Sequence, residues 1–208
     1  MVHQLLFYRG TLVGHRRTLR RPDQPTVSKS WHPFADRWIS IVDNRTDNAT
    51  TANLGDNPKL HIVMVQPEIP QNTGNIARTC VAVEAKLWLV RPLGFRLDEH
   101  HMRRAGLDYW QHLQWQVVDS WSALQEQLPE TTFWYFSRHA RRSYTDVSYA
   151  VGAAFVFGSE TQGLPKSICL PEHANVVQIP MPGRVRSLNV SNAVAVATFE
   201  ALRQWGNG

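Results

Sequence analysis

The stretch Ile179–Phe199, IPMPGRVRSLNVSNAVAVATF, constrains the fold more than any other because it sets a strand end, a loop and a helix back to back. Val176–Ile179 is a short β-branched apolar run, and Pro180 and Pro182 stop it because proline cannot donate to a sheet ladder. Ser187–Asn189 then offers a cap ahead of a helix rich in Ala and Val. An open helix N-terminus there points unpaired N–H groups and a partial positive charge at any nearby ligand. On spacing alone this is equally a plain strand–loop–helix unit of an α/β domain.

Upstream, short strands and helices alternate. Leu60–Val65, Leu87–Val90, Trp115–Val118, Phe133–Phe136 and Ala153–Phe157 read as strands of aromatic and β-branched residues. Gly74–Val83, His101–Leu107 and Ser122–Leu128 read as the helices between them. Pro67 and Pro70 are expected to fix an extended turn before the first helix, with Asn72–Thr73 as its cap. The pattern predicts an α/β fold, a parallel sheet with helices on both faces.

Residues 1–58 do not share this pattern. They scatter Arg, Pro, Ser, Thr and Asn around isolated Trp31 and Trp38, with no sustained period. The expectation is a largely disordered N-terminal extension, or sequence upstream of the true start, ahead of a domain at 59–208. A basic arm that touches RNA is the functional alternative. Nine Lys/Arg and five Asp/Glu fall in 1–59, against 13 and 12 in the rest, so most of the net charge of +5 belongs to that extension. The domain itself is nearly balanced, and attraction to nucleic acid must come from local groups such as Arg103, Arg104, Arg138 and Arg141.

No apolar run approaches the roughly 20 residues of a membrane span, and the N-terminus lacks a secretory pattern. A cytoplasmic protein without a membrane partner is expected. Cys80 and Cys169 have neither metal spacing nor a disulfide framework and read as reduced thiols.

Three loops follow predicted strand ends, where open α/β sheets bind ligands: Gln66–Asn75, Gly158–Pro165 and Pro180–Asn189. None carries a GxGxxG or GxxxxGK[ST] phosphate cradle, and the chain has no GxSxG elbow or HExxH pair. Conventional dinucleotide, hydrolase and zinc chemistry are therefore disfavoured, and no metal is expected. The loops instead hold Gly, Asn, Ser, a few Arg and the carboxylate of Glu160, an inventory suited to binding and orientation. Glu160 alone reads as readily as a loop brace as a catalyst. Arg78, one turn into the first helix, follows from the Asn72–Asn75 loop, which would aim it at the same end of the sheet.

Taken together, the loops resemble the three motifs of the SPOUT superfamily in its SpoU-type RNA 2′-O-methyltransferase branch. Asn72, Gly74, Asn75 and Arg78 match the first motif, FGSETQGL (157–164) the second and IPMPGRVRSLNVSN (179–192) the third, and the likeness runs from Leu60 to Trp205. PEIPQNTGNIAR, RPLGF and RRAGLDYW are most similar to the single-domain enzymes that methylate the wobble nucleotide of leucine tRNAs.

The resemblance implies an enzyme that uses S-adenosylmethionine, acts on tRNA, is a homodimer through its first and last helices and carries a C-terminal deep trefoil knot. It places Phe136, Gly158, Ile179, Met181, Ser187 and Leu188 around the methyl donor. Arg78 then reaches the neighbouring subunit's donor, Ser187 and Asn189 hydrogen-bond the target hydroxyl or Arg78, and Glu160 holds loop geometry. Because a guanidinium stays protonated in ordinary protein surroundings, Arg78 is read as a clamp on the target phosphate that stabilises the developing oxyanion. A dimer groove lined by Arg103, Arg104, Arg138 and Arg141 is expected to hold the RNA. One departure is Phe199–Glu200, where relatives typically carry Tyr-Glu. Alternatives are 2′-O-methylation of another tRNA or rRNA site, and a non-catalytic RNA-binding protein of the same fold.

Overall fold

The computed structural model describes residues 58–96, 108–169 and 174–206. The expectations for residues 1–57, for a helix over His101–Leu107 and for Arg103 and Arg104 lie outside them.

Leu60–Val65 (β1) is buried at all six positions, so both of its faces need cover. That is the condition of a central strand in a parallel sheet, and it explains why LHIVMV reads as one apolar run rather than an alternation. Around it lie Lys86–Val90 (β2), Trp115–Val118 (β3), Phe133–Phe136 (β4), Arg142–Ser143 (β5), Ala153–Phe157 (β6) and Val176–Gln178 (β7), in the order β3-β2-β1-β6-β4-β7-β5. Every pairing between neighbours is parallel; Val63 sits opposite Trp88 on one side and Val156 on the other.

Among the described residues three α-helices accompany the sheet: Pro70–Val83 (α1), Trp121–Gln127 (α2) and Val190–Gln204 (α3). Val63, Val65, Trp88, Val90, Val118 and Val156 form one cluster with Leu124 and Leu128 beside α2. At seven residues α2 is too short to be stable alone; the Ser120 hydroxyl caps it by accepting from the Ala123 amide at 3.1 Å, and the buried leucines seat it. Alternate residues of the same strands, Ile62, Met64, Leu87 and Leu89, are also fully buried. By the two-residue period of a strand they face the other way; α1 packs on β2 and on α3. An aromatic ladder continues this layer, with Phe136 stacked on Phe157 at 4.7 Å and Tyr149 edge-on to Phe155 at 4.6 Å. Trp205 Nε1 donates to the Tyr149 carbonyl at 2.8 Å and anchors the end of α3 there.

Two local expectations need correction. The first helix begins at Pro70, four residues before Gly74. Pro70 opens the helix instead of an extended turn because its missing N–H belongs to a position without a helical partner and its φ is already helical. Asn72 and Thr73 are thus inside α1, and Ile69 is the cap residue, with no side-chain cap bond of its own. The sequence pattern also missed β5, two residues paired with Val177 and Gln178, which is too short to show a period. Neither cysteine is in a disulfide, and both are buried.

One polar contact is sealed inside the sheet. His61 Nδ1 accepts from Trp88 Nε1 at 3.0 Å, which requires a neutral ring. Burial, helped by Lys86, pushes the imidazole pKa down to about 4. The unfolded chain therefore takes up a proton on this histidine before the folded one does, and stability falls as pH drops from 6.5 towards 4. Roughly 3 kcal/mol should be lost through this group near the lower end of that window. Urea unfolding across the window checks this: His61→Phe should fall less steeply with acid than the wild type, and parallel curves would show that the group is silent.

Candidate functional site

Four adjacent strands, β1, β6, β4 and β7, end at one edge of the sheet, and a cavity of about 320 Å³ opens over their C-terminal ends. This is the edge at which open α/β sheets collect ligands, because the loops there are free to diverge. Phe136, Phe157, Ile179, Met181 and Leu188 give the cavity an apolar bed, and Ser137, Gly158, Ser159 and Ser187 add polar groups. Two helix starts also reach it, α1 through Ile69 and Asn72 and α3 through Asn189, Val190 and Ala193.

The Glu160 carboxylate organises the cavity's loops. It accepts from the backbone amides of Glu68 at 2.7 Å and Ile69 at 3.3 Å, just ahead of α1, and from Asn72 Nδ2 at 3.0 Å. A carboxylate at a helix N-terminus also meets the favourable end of the helix dipole. It does the capping work that sequence assigned to Asn72–Thr73.

Because an ionised carboxylate only accepts, Asn72 must turn its amide nitrogen towards Glu160 and its oxygen away. That oxygen accepts from Asn189 Nδ2 at 2.9 Å, and Asn189 Oδ1 in turn accepts from the Ser191 amide at 2.8 Å and its hydroxyl at 2.7 Å. One directed chain of hydrogen bonds thus ties all three loops to the start of α3. Thr161 Oγ1, 2.8 Å from both carboxylate oxygens of Glu68, adds a second tie between the first two loops.

Gly158 is fixed by space. A Cβ there would meet the Gly163 carbonyl carbon at 1.9 Å and the Leu164 nitrogen at 2.1 Å, so only glycine lets this loop fold back on itself. The Ser159–Gly163 bridge closes the same turn.

The expected residues separate cleanly. Phe136, Gly158, Ile179, Met181, Ser187 and Leu188 all line the cavity, as do Glu160, Asn189 and Arg138; Arg78 and Arg141 do not. The Arg78 guanidinium lies 4.7 Å from the centroid of the Tyr109 ring instead. Sequence reasoning passed over Ile69, Ser137, His139 and Arg186, which line the cavity as well. Ile69 and Arg186 lie within the first and third loops already named, and Ser137 and His139 flank Arg138 directly after β4.

Among the described residues, no group of three His, Cys, Asp or Glu could hold a metal ion, and no helix is long and apolar enough to cross a membrane. Hydrogen bonds to an ionised acceptor are worth about 1.5–3 kcal/mol each. Glu160→Gln should therefore loosen the cavity, since its new N–H₂ must face a donor. If the cavity takes S-adenosylmethionine, the donor that the resemblance implies, calorimetric affinity for it should fall by about tenfold, or about 1.4 kcal/mol; unchanged affinity would contradict the bracing role.

A model of the SpoU rRNA Methylase family matches residues 59–199. A tRNA (cytidine(34)-2'-O)-methyltransferase of Burkholderia cenocepacia is 45% identical over 151 residues, covering 70% of this chain and 96% of that protein. A solved structure described as giving insight into 2-OH methylation of C/U34 on tRNA is 43% identical with a TM-score of 0.67, covering 73% of this chain and 99% of its own. The SpoU methyltransferase AviRb of Streptomyces viridochromogenes, solved in complex with AdoMet, is 22% identical with a TM-score of 0.62 over 74% of this chain and 61% of that one, and shares the fold. Since the family match begins beside β1 and ends within α3, taking in all three tied loops, the chain belongs to the SpoU rRNA methylase family.

Proposed function

We propose that this protein methylates the ribose 2′-oxygen of nucleotide 34, the wobble position of tRNA, with S-adenosylmethionine as donor. The observation that carries the reading is the cavity itself, built by three loops that hydrogen bonds through Glu160, Asn72 and Asn189 tie together. Relatives with more than two fifths of the sequence in common bear names for this reaction. Leucine tRNAs are the acceptors in this reading, on the likeness of 67–78, 91–95 and 103–110 to enzymes of that specificity. In this reading the protein works in the cytoplasm.

The cavity residues fit such a donor. Phe136, Ile179, Met181 and Leu188 offer the apolar surface that a purine needs, and the tight turn at Gly158 presents backbone groups rather than side chains. Ser187, exposed at the cavity mouth, is placed to hydrogen-bond either donor or acceptor. The donor supplies a methyl group made electrophilic by its sulfonium. The chain's part is to hold, orient and exclude water, an effect worth roughly 7–11 kcal/mol in well-aligned systems. Glu160 and Asn189 act through loop geometry, because their polar atoms are engaged with Glu68, Ile69, Asn72 and Ser191.

Arg78 clamps the phosphate beside the target and stabilises negative charge developing on the ribose oxygen; the hydroxyl proton leaves to phosphate or solvent. Arg78 stands outside its own chain's cavity, which favours action on the cavity of a second copy. A homodimer through α1 and α3 gives the exposed Val196 and Phe199 of α3 a partner surface. RNA then lies along Arg103, Arg104, Arg138 and Arg141. A trefoil knot is part of the reading. Its support is the placement of β7, the last strand, between β4 and the earlier β5.

Transfer of labelled methyl from S-adenosylmethionine to total tRNA, with the modified nucleotide mapped, tests the reading. Label is expected on a wobble 2′-oxygen with wild type and reduced at least about a hundredfold, or about 2.7 kcal/mol, with Arg78→Ala. Label at another nucleotide, or full activity in the variant, would overturn the site or the role of Arg78 respectively.

A further inference from the structure

Arg78 is an exposed, long side chain with many rotamers, and a clamp of that kind acts only if something holds it. Its guanidinium carbon lies 4.7 Å from the centroid of the Tyr109 ring, within the range at which an aromatic face attracts a cation. The ring is itself fixed: Tyr109 Oη donates to the Gly74 carbonyl at 2.9 Å. Gly74 and Arg78 are four residues apart on α1 and so share one face of the helix. The same carbonyl is the one that the helical pattern pairs with the Arg78 amide, and its second lone pair remains for the tyrosine.

Glycine at 74 keeps this face open. A Cβ there would stand 4.0 Å from the Tyr109 hydroxyl oxygen, ordinary van der Waals contact. Tyr109 belongs to the 3-10 turn Asp108–His112, and Trp110 beside it is buried at 3% exposure against Trp115, with ring centroids 5.5 Å apart. The ring is thus mounted on packed structure rather than on a free loop.

The geometry points to Tyr109 as a positioning residue for Arg78: its ring face backs the guanidinium and leaves the N–H edges directed outward for a phosphate or ribose oxygen. The inference rests on the reading that Arg78 serves the acceptor. Tyr109 does not line the cavity and, in this inference, acts through Arg78 alone. Its effect should therefore appear in turnover, and vanish where Arg78 is absent.

The test is steady-state methylation of tRNA by Tyr109→Phe, Tyr109→Leu, Tyr109→Met, Arg78→Ala and the Arg78→Ala/Tyr109→Leu pair, beside donor affinity by calorimetry. Tyr109→Leu should lower kcat by about tenfold, with donor affinity and KM little changed. Tyr109→Phe, which keeps the ring but not the hydroxyl, should recover most of that loss. Should Tyr109→Leu fold poorly, Tyr109→Met removes the aromatic face at similar volume and should show the same drop. In the Arg78→Ala background, Tyr109→Leu should have no further effect. A further tenfold fall there, or a Phe variant as slow as the Leu one, would overturn the proposal. Failure of the underlying reading shows separately, as full activity in Arg78→Ala alone, and removes the proposal with it.

Discussion

One carboxylate holds the functional end of this molecule together. Glu160 lies 92 residues from the Glu68 amide that it accepts, yet it closes the gap between the loop after β6 and the start of α1. Its three donors would otherwise be left at a helix start without partners. Satisfying them from a distant loop, not from a local cap, makes the helix and the loop one unit. Asn72 and Asn189 extend the unit to α3, and the direction of every bond in the chain follows from the single fact that the carboxylate cannot donate.

The sheet decides where this unit forms. β1 and β6 are buried on both faces and neighbour each other at the centre, so the chain can only leave them at their ends. Four strands release loops at one edge, and the stacked pair Phe136 and Phe157 carries the core up to the floor of the cavity. The apolar bed is thus continuous with the core, while polar groups sit on loops held by hydrogen bonds. Such a division suits a site that binds and orients rather than one that supplies a nucleophile.

Much of this was legible in sequence, for physical reasons. Doubly buried strands are apolar at nearly every position, so β1, His61 apart, and β6 announced themselves, and the prolines after β7 marked the third loop. The start of α1 was not legible in the same way. Pro70 suits an extended turn and a first helical residue alike, and only the helix beneath it decides. β5 was invisible because two residues carry no period. The partners of Glu160 were also beyond reach: the residue stood out as the one carboxylate in its loop, but nothing local records a bond to residues some ninety positions away. Tyr109 lay within a stretch that resembled relatives, but its contact with Arg78 depends on how the 3-10 turn meets α1.

The most direct test of the account is a crystal structure of the protein with S-adenosylhomocysteine. The account predicts the nucleoside against Phe136, Ile179, Met181 and Leu188, with the bonds from Glu160 to Glu68, Ile69 and Asn72 intact. Ligand bound elsewhere, or bound in this cavity with the Glu160 bonds broken, would contradict it.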